Sequence, residues 1–143
     1  MKMHRYPLRL LQSAPALALL TSSVLYAALS SQPPAQPPPD VTFVLNQNVD
    51  FIPGQKGVLE RTAIKVELLE TRGPRAGCAD CPSKATLRVR SGSETSDLHY
   101  QLSGNMQPEL RAKARRQSAF DYVFVAVRIS DEAFTLNVSR ATK

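Results

Sequence analysis

The chain has 143 residues, with 18 Lys and Arg against 12 Asp and Glu, a formal charge of +6, two histidines, two cysteines and no tryptophan. Lys2, Arg5 and Arg9 take three of the 18 basic groups, so residues 33–143 hold 15 basic against 12 acidic groups and are only mildly basic. Aromatics are not interleaved among those charges as base stacking requires, so nucleic acid is not an expected partner. His99 is the single histidine of the body, which excludes any mechanism needing two imidazoles from that region of one chain.

Residues 1–30 start with a cationic stretch, continue as an apolar run and end in small residues. This order predicts a secretory signal peptide with Ala28-Leu29-Ser30 as the cleavage signature. The alternative is an uncleaved membrane anchor, with Gln12, Ser13 and Pro15 shortening the apolar run. No cysteine follows to accept a lipid. Both readings place the body outside the cytoplasm, as a periplasmic or secreted protein or as a single-pass anchored one, with membrane contact expected only if the segment stays uncleaved. Residues 31–40 form a proline-rich linker of polyproline II character.

From residue 41 the pattern is β. Val41, Phe43 and Leu45 alternate with polar neighbours, Asn46 and Asn48 bracket a turn, Val49 and Phe51 resume, and Pro53-Gly54 turns again. Ile64, Val66 and Leu68 mark a half-buried strand, and residues 71–83, with two glycines, two prolines and both cysteines, read as a loop. Ala85, Leu87 and Val89, then Leu98, Tyr100 and Leu102, predict a hairpin. Residues 106–117 support two readings. One is a helix from Pro108; the other, slightly favoured, is a charge-protected edge strand with Leu110, Ala112 and Ala114 facing in and Arg111, Lys113 and Arg115 facing out.

Residues 120–129 are apolar on both alternating faces, with Tyr122, Phe124 and Ala126 on one side and Val123, Val125, Val127 and Ile129 on the other. That predicts a strand covered on both sides. Asp131 and Glu132 mark a turn, and Phe134, Leu136 and Val138 a second, half-buried strand. About seven strands in residues 41–143 predict an all-β, antiparallel, immunoglobulin-like sandwich.

Cys78-Ala79-Asp80-Cys81 is the one motif with chemical content. In an exported chain two neighbouring thiols are expected as a disulfide that stiffens its loop. A thiol redox role is the alternative, but Pro82 and a strand follow where a helix should begin. Metal binding by Cys78, Cys81, Asp80 and His99 would lack a second C-x-x-C or paired histidines; no metal and no cofactor are expected. Asp97 and His99 share a strand face without a nucleophile context, so they read as a solvated face and no catalytic residue is assigned. Arg111, Lys113, Arg115 and Arg116 form the one local basic cluster and are the candidate contact for an anionic partner.

Phe43-Val44-Leu45-Asn46-Gln47-Asn48, with Asn48 where glycine is expected, and Arg75-Ala76-Gly77-Cys78 with Cys81 resemble small exported bacterial β-sandwich proteins of unassigned function, which share an F-x-L-x-x-G start and a cysteine-containing loop. The resemblance implies a compact extracytoplasmic sandwich with a loop disulfide and no assigned activity. The expected function is therefore non-enzymatic binding to an envelope protein or an anionic envelope polymer. The alternatives are a thiol redox or metal-binding protein and a structural domain of an anchored envelope assembly.

Overall fold

The computed structural model describes residues 36–142. The expected signal peptide or anchor (1–30) and the start of the linker (31–35) lie outside the described residues. Nine strands and one helix follow in order: β1 Val41–Phe43, β2 Asn48–Phe51, β3 Lys56–Leu59, β4 Ile64–Arg72, β5 Ser83–Ser91, β6 Glu94–Leu102, α1 Pro108–Ala114, β7 Arg116–Ala119, β8 Tyr122–Ile129 and β9 Phe134–Arg140. They form two sheets, ordered β1-β3-β4-β5-β6 and β2-β9-β8-β7. Pairing is antiparallel throughout except between β1 and β3. The described residues thus form a small all-β sandwich of nine strands where seven were expected. The additional ones are β3, too short for alternation to register, and β7, which occupies the end of the segment read two ways.

The inward positions of both sheets meet in one core. Leu59, Val66, Leu68, Leu87 and Val89 come from the first sheet, and Phe51, Phe124, Phe134, Leu136 and Val138 from the second. Each such side chain contributes about 1.5–3 kcal/mol by leaving water. Tyr100 spans the two layers: its ring lies 5.3 Å from that of Phe134, and its hydroxyl donates to the Phe124 carbonyl at 3.1 Å. Burial pushes its phenol pKa above the ordinary value. The last linker residues are fastened to the body by Gln55, whose amide donates to the Pro39 carbonyl at 2.9 Å.

Three departures from simple alternation bear on the site. Phe120 and Asp121, expected to open a strand, are instead the two central residues of the β7–β8 hairpin, with φ of 51° and 63°. That is the left-handed region a I′ turn requires, and it is held here by packing of Phe120 on the core and by Ala141 N–H donating to the Asp121 carbonyl at 2.9 Å. Second, β8 carries a bulge between Ala126 and Arg128. One extra residue reverses the alternation beyond it, so Arg128 is exposed and Ile129 joins Phe124 and Ala126 in the core, contrary to its expected face. The outer face of β8, expected to be covered, is only half-buried at Val123, Val125 and Val127.

Third, residues 108–114 are helical, against the favoured strand reading. Pro108 at the first turn supplies the φ a helix needs, Glu109 complements the positive end, and Arg111 and Lys113 the negative end. Seven residues are too few to hold a helix alone. The tertiary anchors described below decide the matter.

Tyr100→Phe is expected to lower stability by about 1 kcal/mol, the worth of one hydrogen bond, read by urea denaturation at pH 7. The wild type should also lose stability as the pH rises through the ordinary phenol range near 10. There the unfolded chain releases this proton while the folded chain retains it, and the Phe variant should show a shallower decline.

An arginine-lined cleft beside the disulfide loop

The bulge in β8 and the loop between β4 and β5 lie at the same end of the sandwich. The loop is anchored at its entry: Thr71 Oγ1 donates to the Ser130 carbonyl at 2.8 Å, and Gly73 N–H donates to Asp131 Oδ1 at 2.8 Å. Within it Cys78 and Cys81 form a disulfide with Cα atoms 5.4 Å apart. So small a ring removes little chain entropy, worth about 2 kcal/mol, and its effect is to hold the shape of the loop tip. That tip leans on the turn after β6, where a methyl group at Gly104 would collide with the Ala79 carbonyl.

Helix α1 packs against β6 and β7 on the other side of this turn. Its arginines provide the anchors that a seven-residue helix needs. Arg111 Nη2 donates to the carbonyls of Ser103, at 2.9 Å, and Gly104. Arg115 Nη1 donates to the Val127 carbonyl at 3.0 Å, which the β8 bulge has taken out of regular register. Ala126 N–H donates to the Arg115 carbonyl at 2.9 Å. Helical spacing of i and i+4 therefore turns Arg111 and Arg115 inward while Leu110 is left 56% exposed. This inverts the strand reading, which placed Leu110 inside and both arginines outside. Lys113 and Arg116 are exposed and do not line the cleft, so the basic cluster is divided between two surfaces.

Between α1 and the disulfide loop runs a cleft of about 690 Å³. Arg75, Arg111, Arg115 and Arg128 line it, with no Asp or Glu among its walls. Leu102, Val127 and Ile129 contribute apolar surface, and Cys78, Ala79 and Cys81 the far side. Among the described residues the ion pairs lie elsewhere, at Glu60–Arg61, Arg88–Asp97 and Glu67–Arg90. Nε of Arg111 and of Arg115 is closed off from solvent and has no acceptor. Four arginines thus line one concavity with no acidic residue in its walls. Arg75 and Arg128 carry no local sequence signal, because only the loop and the bulge bring them here.

The other expected candidates resolve differently. Asp97 does not orient His99. It accepts two hydrogen bonds from Arg88, at 2.9 Å from both Nε and Nη2, which hold its carboxyl below the usual carboxylate range. His99 Nδ1 lies 3.3 Å from the Thr86 hydroxyl, which donates to Glu70 at 2.8 Å. These residues form polar cross-strand rows on the outer face of the first sheet. Cys78 does not begin a helix, the arrangement that lowers a thiol pKa. Among the described residues no group of three or more His, Cys, Asp or Glu is placed to hold a metal ion, and no helix is long and apolar enough to cross a membrane. The fold and site together define a two-sheet β-sandwich with a disulfide-braced, cationic cleft at one end. No protein-family model, curated protein or solved structure matches this chain.

Gly104→Ala should displace the loop tip without unfolding the sandwich, because the collision involves the Ala79 backbone at the surface. Hydrogen exchange at residues 75–81 is expected to accelerate while the amides of β5 and β8 keep their protection.

Proposed function

We propose that the protein is an exported, non-catalytic binding module that engages an anionic component of the cell envelope at the arginine-lined cleft. The observation that carries this reading is that Arg75, Arg111, Arg115 and Arg128 all line one concavity that has no acidic residue in its walls. No carboxylate neutralises these arginines, and the terminal nitrogens not bonded to backbone carbonyls keep hydration that an oxyanion can replace. Arginine is suited to the exchange, since its planar fork matches carboxylate and phosphate oxygens. The disulfide fits the same reading: it shapes one wall of the cleft, and disulfides persist in oxidising, extracytoplasmic compartments. The cationic, then apolar, beginning of the chain supports export.

Retention of the protein on a polyphosphate matrix, eluted with salt, tests this. Arg111→Gln with Arg115→Gln should elute at clearly lower salt than wild type, whereas Lys113→Gln with Arg116→Gln, which removes the same charge outside the cleft, should elute close to wild type. Equal weakening by both pairs would mean that net charge alone is being read, and the cleft would lose its assignment.

A further inference from the structure

The walls of the cleft specify more than charge. Leu102 and Ile129, each 8% exposed, end the sandwich core where it meets the cleft, and Val127 sits between Ile129 and the Ala126 position on the bulged strand. Ala76, Ala79 and the disulfide face them. A simple polyanion laid over the arginines would leave this apolar floor in water. A neutral apolar ligand would cover the floor and strip hydration from guanidiniums without replacing it. Only a ligand with both parts meets both walls.

The side chains of α1 indicate where the charged part belongs. Elsewhere in the molecule Arg88 shows how a guanidinium edge is used, with Nε and Nη2 donating in parallel to the two oxygens of Asp97. Arg115 donates from Nη1 to Val127, leaving that Nε and Nη2 edge without an acceptor, and Arg111 likewise has no acceptor at Nε. Both Nε atoms are closed off from solvent, so the donors left for an oxygen of a ligand are the terminal nitrogens not bonded to carbonyls, Arg111 Nη1 and Arg115 Nη2, beside the exposed side chains of Arg75 and Arg128. The volume, about 690 Å³, falls within the range of small-molecule sites, roughly 300–1,000 Å³.

From this arrangement we infer that the cleft binds a small amphiphile, an oxyanion head joined to an apolar chain, with the head between Arg111 and Arg115 and the chain on Leu102, Val127 and Ile129. The inference rests on the cleft being the binding site. The head chemistry is shared by free carboxylates of fatty-acid type and by phosphate-headed lipids.

Isothermal titration calorimetry of the full chain with octanoate, octyl phosphate, 1-octanol and inorganic phosphate separates the cases. At least one of the two anionic amphiphiles should bind one to one, with 1-octanol and inorganic phosphate at least about tenfold weaker, since each lacks one of the two contacts. Tighter binding of octanoate assigns a carboxylate source; tighter binding of octyl phosphate assigns a phospholipid source. Arg115→Gln should weaken the preferred ligand by about tenfold. Should that variant fail to fold, Arg128→Gln, an exposed cleft residue outside the helix anchors, should weaken it severalfold. Binding of 1-octanol as tight as that of octanoate would overturn the inference. So would absence of binding by both anionic amphiphiles while the polyphosphate matrix still retains the wild type through Arg111 and Arg115, an outcome that leaves the proposed function standing. Loss of retention as well would remove both.

Discussion

Backbone carbonyls at the end of a sandwich have no further strand to pair with, and the way this protein satisfies them organises the arginine-lined cleft. The bulge in β8 turns the Val127 carbonyl away from regular pairing, and the turn after β6 leaves those of Ser103 and Gly104 unpaired by strands. Arg111 and Arg115 donate to all three. The same hydrogen bonds hold a seven-residue helix that could not persist alone. Structural need and functional potential thus share the same side chains: each guanidinium is fixed through one terminal nitrogen, and its other terminal nitrogen remains for a ligand.

The disulfide loop is the complementary wall. It has few apolar contacts of its own, so its position depends on Gly73 tied to Asp131, on the bridge, and on the absence of a side chain at Gly104. These contacts define the width of the cleft more than they stabilise the fold. The core contributes stability independently, through Tyr100 and the phenylalanines that join the sheets.

Strands with long alternation were legible in the sequence. Ile64, Val66 and Leu68, Ala85, Leu87 and Val89, and Leu98, Tyr100 and Leu102 face the core as their spacing predicts. So does the Phe134, Leu136 and Val138 face of β9, and the Cys78–Cys81 bridge is formed. What escaped sequence reading was geometry set by tertiary contact. Phe120 in a left-handed turn contradicts its own preference. The bulge at Val127 has no residue signature, yet it decides the faces of Arg128 and Ile129. In residues 108–114 the periods of 2 and 3.6 fit almost equally well, and the choice between them determines whether Arg111 and Arg115 face solvent or the cleft. The basic cluster was therefore visible as composition, while its division into two cleft arginines and two solvent-facing groups was not.

What sets Arg111 and Arg115 apart from surface arginines is an Nε–H closed off from water on a guanidinium that no carboxylate neutralises. Nitrogen-15 NMR of the arginine Nε–H groups tests it directly, with assignment by Arg111→Lys and Arg115→Lys. Two Nε–H signals are expected to exchange slowly with solvent and to shift on titration with phosphate, while that of Arg61, exposed beside Glu60, exchanges fast. Fast exchange at both positions with no response to phosphate would contradict it, because the side chains would then be solvated surface charges and the cleft would have no anion site.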